Sequence, residues 1–485
     1  MLKKIKLNRQ ITKRNLYPIF IAGGIFGVAM LFPVAVTAGL PIEPEELPAT
    51  FQGDFPDTDP IDGLTEWWRS FADENLNTIE EMAVRNNYNV KAALKRIEAS
   101  RQMLKSAYSA YYPTIQLQAG YDIERDSGRE TSPMGQTSTL SYFQMGANMS
   151  WEIDVFGRVT QKVKSSKINV NLSKLEYDAF MLSLTSEVAQ YYGALCMYHQ
   201  QLKVAEDNLT SQKEMLKLVQ DRYEAGLVSK LDIAQAENTV NNTSLKIPTL
   251  KAQRSAMKNA LATLCGVSPE EIVSLLQECS QPALKIPASV GKPADLLRRR
   301  PDIAEAEQQI ALTASELGIA KKDYLPSLSI NASIGTSSHN INKLFGDHSL
   351  SYQVAPTLTW TLFEGFARKA NVAEKRAQME AQIDDYNNSV MTALQEVNNS
   401  IINYNCSREE LALYDKVLAT SRDMVMLSVD RYKLGIVDFS DVASAQVTYL
   451  NYQMSLLTSR NNCFNNLVAL YKALGGGWDE AESLK

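Results

Sequence analysis

The sequence predicts a mixed α+β membrane protein made of two structural repeats, in which β-hairpins run directly into very long α-helices. Three observations predict it. The chain repeats itself, each copy holds two alternating segments of strand length, and the intervening segments keep a helical period over unusual lengths.

The repeat comes first, because a missed repeat misassigns the whole fold. Arg85, Val90 and Tyr112-Pro113 recur as Arg298, Ile303 and Leu325-Pro326 at a shift of 213 residues. Trp151, Glu187-Val188, Asp221-Arg222-Tyr223 and Gly226 recur as Trp360, Glu396-Val397, Asp430-Arg431-Tyr432 and Gly435 at a shift of 209. The register slips between Pro113 and Trp151. Insertions are tolerated in exposed loops, so the slip predicts loops near residues 125–140 and 336–349.

Each predicted loop is flanked by clean alternation. Ile115, Leu117, Ala119 and Tyr121 oppose Thr114, Gln116, Gln118 and Asp122; Phe143, Met145, Ala147, Met149 and Trp151 oppose Gln144, Asn148, Ser150 and Glu152. In the second copy Leu328, Ile330, Ala332 and Ile334 oppose Ser327, Ser329, Asn331 and Ser333, followed by Tyr352, Val354, Leu358 and Trp360 against Gln353, Thr357, Thr359 and Thr361. These are two hairpins, about 113–155 and 326–363. Pro356 predicts a bulge or a missing ladder bond in the last strand. Strands of about ten residues with an aromatic near the end suit a transmembrane barrel, which makes Trp151 and Trp360 candidate membrane-interface residues. A soluble sandwich also alternates. Four strands are too few for either, and open edges are not tolerated in lipid, so copies of the chain must close the sheet. Two, three or four copies are all compatible with the pattern.

Val159 to Tyr223 carries apolar residues at helical spacing with almost no Gly or Pro, a span of roughly 95 Å at 1.5 Å per residue. Leu231 to Leu264, Ala367 to Tyr432 and Asp441 to Leu474 read the same way. Helices of this length without internal caps suggest coiled-coil packing. Pro248 predicts a kink in the second of them.

The ends of the chain add a compartment. Lys3, Lys4, Lys6, Arg9, Lys13 and Arg14 precede an apolar stretch from Leu16 to Val36 that closes on Val36-Thr37-Ala38, the pattern of a secretory signal cleaved after Ala38. A retained anchor is the other reading of that stretch. The domain plan is a signal at 1–38, an extended segment at 39–72, repeat 1 at 73–266, an equatorial connection at 267–292, repeat 2 at 293–475 and a tail at 476–485. The net charge of −6 argues against nucleic acid. Five cysteines show no metal-ligand spacing; Cys265 and Cys279 could pair, or both could stay reduced.

Two strings now carry a resemblance. Ala294-Asp295-Leu296-Leu297-Arg298-Arg299-Arg300-Pro301-Asp302-Ile303 and Trp151-Glu152-Ile153-Asp154-Val155-Phe156-Gly157-Arg158 resemble motifs of the TolC-like outer-membrane factor channels. Those channels serve tripartite efflux and type I secretion. The first string resembles the branch that works with resistance-nodulation-division pumps. The similarity runs from about residue 65 to Leu474. It implies a homotrimer with a twelve-stranded outer-membrane barrel continuous with a periplasmic α-helical barrel. It also implies a periplasmic adaptor (membrane fusion protein), an inner-membrane pump, outer-membrane lipid around the strands, no cofactor and no catalysis. Many members of that branch carry a cysteine directly after the signal, whereas the first cysteine here is Cys196, so lipidation is not expected.

The same resemblance places the functional site at the turns between long helices. Arg222 to Asp232 and Arg431 to Asp441 resemble the family's periplasmic tips, with Gly226 and Gly435 where each helix must stop and reverse. Gly226, Leu227, Val228, Gly435, Ile436 and Val437 are thereby expected to meet the adaptor. Asp232 and Asp441 match positions that constrict the entrance in the family, with Arg222, Tyr223, Arg431 and Tyr432 as candidate bonds holding it closed. The plain alternative for the two aspartates is stabilisation of a helix N-terminus. Replacing Asp441 by Ala together with Tyr432 by Phe is expected to raise conductance.

Enzyme readings have little support, since His199, His339 and His348 form no metal or triad arrangement and no phosphate-binding Gly-rich loop is found. Efflux of small molecules is favoured over protein secretion by the arginine-rich string. A periplasmic adaptor, the competing class, would carry a single helical hairpin and a lipoyl-like domain.

Overall fold

The computed structural model describes residues 64–125, 139–276, 279, 281–282 and 299–476. The signal segment, the first hairpin loop, Ala294 to Arg298, most of the equatorial connection and the C-terminal tail lie outside the described residues.

Repeat 1 opens with α1 (Glu74–Asn86) and α2 (Tyr88–Tyr108), then the strands β1 (Thr114–Arg125) and β2 (Thr139–Ile153). It continues into α3 (Arg158–Glu224), the returning α4 (Lys230–Cys265) and the short α5 (Pro269–Leu275). Repeat 2 runs α6 (Pro301–Lys322), β3 (Ser327–Ser338), β4 (Leu350–Thr359), α7 (Ala367–Lys433) and α8 (Phe439–Ala473). Both α3 and α7 are 67 residues long, roughly 100 Å each. No helix among the described residues is long and apolar enough to cross a membrane.

The four strands form one antiparallel sheet in chain order. Its register sorts the side chains by chemistry. Ile115 opposes Met149, Leu117 opposes Ala147, Ala147 opposes Ile334, and Ile334 opposes Tyr352, so one face is apolar across all four strands. Gln116 opposes Asn148, Asn148 opposes Ser333, and Ser333 opposes Gln353, so the other face is polar. The apolar face is not covered by the chain: Leu117 is 71% and Val354 67% exposed. An exposed apolar band of this extent, with polar residues behind it, is the pattern of a sheet standing in lipid. β1 and β4 are its open edges, and lipid does not tolerate unpaired edges.

Several sequence expectations are corrected. Pairing runs unbroken from Ser327–Thr359 to Thr336–Leu350, with Pro356 opposite Ile330, so there is no bulge. Only alternate N–H groups of a strand point into a given ladder, which leaves room for proline at an edge. Pro248, where a kink was expected, lies inside α4, which is continuous from Lys230 to Cys265 and packs along α3. β3 extends to Ser338, so the second loop begins at residue 339 rather than 336, and it contains a short 3-10 turn at Ile341–Lys343. β4 ends at Thr359, which leaves Trp360 outside the strand. The indole N–H of Trp360 donates to the Tyr324 carbonyl (3.1 Å), as that of Trp151 does to Tyr111 (3.0 Å). Each tryptophan pins a strand end to the helix entering the sheet.

The main core lies where α1, α3, α4, α7 and α8 meet, and residues 67–71 are folded onto it. Trp67 stacks on Tyr471 at 5.4 Å, and the Tyr192 hydroxyl donates to Asp73 at 2.8 Å. The two repeats close here by the same device. Asn87 donates to the Leu264 carbonyl (2.8 Å) and Arg300 to the Ala473 carbonyl (3.0 Å), at the last turns of α4 and α8. Arg300, buried, also binds Asp302 and Glu396, each at 2.7 Å. Gly266 and Gly475 then reverse the chain at φ +62° and +75°, so close to the neighbouring backbone that a Cβ would lie 2.7 Å from Asn86 O or 2.8 Å from Arg299 O.

The cysteine pairing differs from the one considered above. Cys279 is bonded to Cys196 on α3, with Cα atoms 5.0 Å apart. Cys265 is unavailable because its buried thiol, at the end of α4, faces the Ile79 carbonyl. With a separation of 83 residues, the bridge removes loop entropy from the unfolded chain worth about 3–5 kcal/mol. Cys196→Ser combined with Cys279→Ser should therefore lower the unfolding free energy by that amount. A reductant should do the same to the unmodified chain; equal denaturation midpoints with and without it would overturn this prediction.

Candidate channel gate and lumen

Each helical hairpin ends in the same local structure. At the first tip Leu227 N–H bonds Arg222 O (2.9 Å) and Gly226 N–H bonds Tyr223 O (2.9 Å), with Gly226 at φ +73°. At the second, Ile436 N–H bonds Arg431 O (2.9 Å) and Gly435 N–H bonds Tyr432 O (3.0 Å), again with φ +73°. This double bond pattern satisfies the last carbonyls of a helix and needs a left-handed residue, which glycine supplies without a Cβ clash.

Beyond this shared turn the tips differ. Asp232 accepts bonds from the Ser229 N–H (2.8 Å) and hydroxyl (2.9 Å), a capping box that starts α4. Asp441 is exposed and has no partner among the described residues, and the N-cap Asp438 makes no side-chain cap bond. Tyr432 is buried, whereas Tyr223 is 43% exposed.

Tyr432 packs edge-on to Phe439 (5.5 Å) in an apolar cluster with Val219, Ala236 and Val442. Arg222 lies over the Tyr432 ring at 5.0 Å and donates to the Lys433 carbonyl at 2.8 Å. A residue of repeat 1 thereby caps the end of α7 in repeat 2. Burial raises the Tyr432 phenol above its ordinary pKa, the Asp232 charge adds to this, and Arg222 opposes it. Its hydroxyl has no hydrogen-bond partner among the described residues.

Of the six gate candidates, the fold thus gathers Arg222, Tyr432 and Asp232, and leaves the exposed Tyr223, Arg431 and Asp441 outside that cluster and without side-chain partners among the described residues. Of the tip candidates, Leu227 and Ile436 are exposed (67% and 59%), but Val228 and Val437 pack against the cluster. Leu231 and Leu434, not singled out in the sequence, complete the exposed apolar tip. Their signal was available as apolar residues flanking a helix reversal.

At the other end, the polar sheet face is cross-linked by its own amides and hydroxyls. Gln144 donates to Asp122, Asn148 to Gln118 (3.0 Å), and Ser150 to Asn331 (3.0 Å) across the boundary between the repeats. Where β2 turns into α3, the Asp154 carboxylate accepts from Val159 N–H (2.9 Å) and Thr160 N–H (2.8 Å). Polar strand faces, exposed apolar backs and long helices joined end to end describe the wall of a conduit.

The family described as "Outer membrane efflux protein" matches residues 80–267 and 293–476, well over half of the chain and both repeats. The chain belongs to this family. The chain is 28% identical over 414 residues to the toluene efflux pump outer membrane protein TtgI of Pseudomonas putida, covering 85% of this chain and 87% of that one. It is 27% identical over 419 residues to the outer membrane protein OprJ of Pseudomonas aeruginosa, covering 86% and 87%. Its fold is similar to that of the outer-membrane channel OprN (TM-score 0.79, 26% identity, 88% of this chain and 98% of that one). The open-state MtrE channel of Neisseria gonorrhoeae gives a TM-score of 0.78 at 25% identity, covering 90% and 96%. This outer membrane efflux protein is a TolC-like channel of the outer membrane and not an enzyme.

Proposed function

We propose that the protein is the exit duct of a tripartite efflux system. Three copies close a twelve-stranded barrel over a helical tube that passively conducts small toxic molecules from an inner-membrane pump of the resistance-nodulation-division type and its adaptor. The observation that carries this reading is the sheet: one apolar face open to lipid, one polar face toward a lumen, and two strand ends that pass within a few residues into 67-residue helices. The open edges β1 and β4 supply the seam between copies. Relatives named as solvent, toluene and antibiotic efflux components support small-molecule cargo. The gate comprises Arg222, Tyr432, Asp232 and the free Asp441, Arg431 and Tyr223. The exposed tip around Leu227 and Ile436 receives the adaptor, and the N-terminal segment exports the chain without lipidation.

The test is planar-bilayer recording on the purified mature chain together with its mass in detergent. A trimer giving discrete, cation-preferring channels is expected. A water-soluble, non-conducting monomer would overturn the strand assignment.

A further inference from the structure

Where the barrel meets the tube, the polar sheet face opens into a cleft of about 380 Å³. Of its strand residues Glu152, Ser327 and Thr359 belong to the polar face and Ile153 to the apolar one, so the cleft opens mainly on the lumenal side. Higher on that face the lining is Thr, Gln, Asn and Ser together with Met149 and two alanines, without a formal charge. At the cleft charge returns abruptly: Arg158, Lys322 and Arg368 face Glu152, Asp154, Asp323 and Glu364. Four carboxylates against three cations leave one negative charge per chain.

These groups hold one another in place. Arg158 forks onto Glu152 (3.0 Å through Nε) and reaches Asp323 at 3.9 Å. Lys322 donates to the Gly157 carbonyl (2.9 Å), and Arg368 pairs with Glu364 (3.1 Å). The residues with the most open carboxylates are Asp323 and Glu364, 36% and 54% exposed.

The turn itself does not need most of this charge. At the equivalent place in repeat 2, Phe366 occupies the left-handed position of Gly157 (φ +67° and +74°), yet Thr361 and Ala367 stand where repeat 1 has Glu152 and Arg158. Conversely, α2 runs out into Ser109 and Ala110 where α6 has Lys322 and Asp323. Strand passes into helix in both copies, so a requirement of the fold does not explain the cluster.

We infer that this cluster is a charge collar at the base of the barrel, a second element of ion selectivity set about a helix length away from the tip. The inference rests on the duct reading, in which three copies bring the collars together around one lumen. A ring of side-chain charge lining a passage biases which ions dwell there, because low-dielectric walls focus the field and charges act over a screening length of about 8 Å at physiological salt. The net negative collar favours cationic cargo and counter-ions leaving the tube.

The test is the reversal potential of reconstituted trimers in asymmetric potassium chloride, recorded in an Arg222→Ala background so that the tip no longer limits the current. Asp323→Asn with Glu364→Gln turns the collar from one net negative to one net positive charge per chain, and the potassium-to-chloride permeability ratio is expected to fall several-fold. Arg368→Gln should move the ratio the opposite way, which tests the same claim if the double variant assembles poorly. A ratio unchanged in either assembled variant would overturn the collar. Absence of any channel from the unmodified chain would instead overturn the duct reading beneath it.

Discussion

Arg222→Ala is expected to raise the single-channel conductance of the reconstituted trimer several-fold, and Tyr432→Phe to leave it near the wild-type value. The contrast follows from what each group touches. The Arg222 guanidinium lies over the Tyr432 ring and donates to the Lys433 carbonyl, so it ties the first tip to the end of α7. A charged donor on a carbonyl contributes about 1.5–3 kcal/mol and a cation–π contact about 0.5–1 kcal/mol at an exposed site. Removing both leaves the two hairpins joined at this end by the apolar cluster of Val219, Ala236, Tyr432, Phe439 and Val442 and so loosens the tip, remote from the core that packs residues 67–71. The Tyr432 hydroxyl has no partner among the described residues, and its ring remains as Phe to fill the cluster with Phe439. In the double substitution suggested by sequence, the Tyr432 half removes a hydroxyl, and the Asp441 half an exposed carboxylate, that have no hydrogen-bond partner among the described residues. Equal conductance of Arg222→Ala and wild type, with trimer mass intact, would remove Arg222 from the gate.

Substitutions at the equatorial turns should be the most damaging to folding. Gly475→Ala and Gly435→Ala impose the same left-handed strain, about 1–2 kcal/mol, since the φ values are +75° and +73°. They differ in space. A Cβ at 435 meets nothing within 4 Å, whereas at 475 it would lie 2.8 Å from the Arg299 carbonyl oxygen. Backbone must then move at the site where Arg300 binds Ala473 O, Asp302 and Glu396. Gly475→Ala is expected to cost at least about 2 kcal/mol more than Gly435→Ala. Arg300→Ala, which strands the Ala473 carbonyl and two carboxylates that are half exposed, is expected to cost about 2–4 kcal/mol. Thermal melting of the detergent-solubilised chain measures all three; indistinguishable midpoints for the two alanine variants would refute the close-approach argument.

The arginine-rich string shows where sequence reading stopped. Its resemblance to a family motif was visible, but the reason for Arg300 was not, because Glu396 and Ala473 lie 96 and 173 residues away. The Cys196–Cys279 bridge was missed for the same reason. The collar was missed because its members are spread over β2, the turn after it, α3, the end of α6, the turn before α7 and α7 itself, at positions where the two repeats disagree. A search for repetition passes over such differences.

What the sequence determined by itself was everything written in periodicity: two repeats, four amphipathic strands, four long helices and the glycines that reverse them. Alternation of two and a helical period are local consequences of backbone geometry, so they survive without knowledge of neighbours. The tertiary structure alone decided which tip residues meet, which cysteines bond, that β2 and β3 join the two hairpins into one sheet, and that charge gathers at the base of the barrel. Those depend on residues far apart in sequence being brought within a few ångströms, where hydrogen bonds and ion pairs act, and no local pattern encodes such a distance.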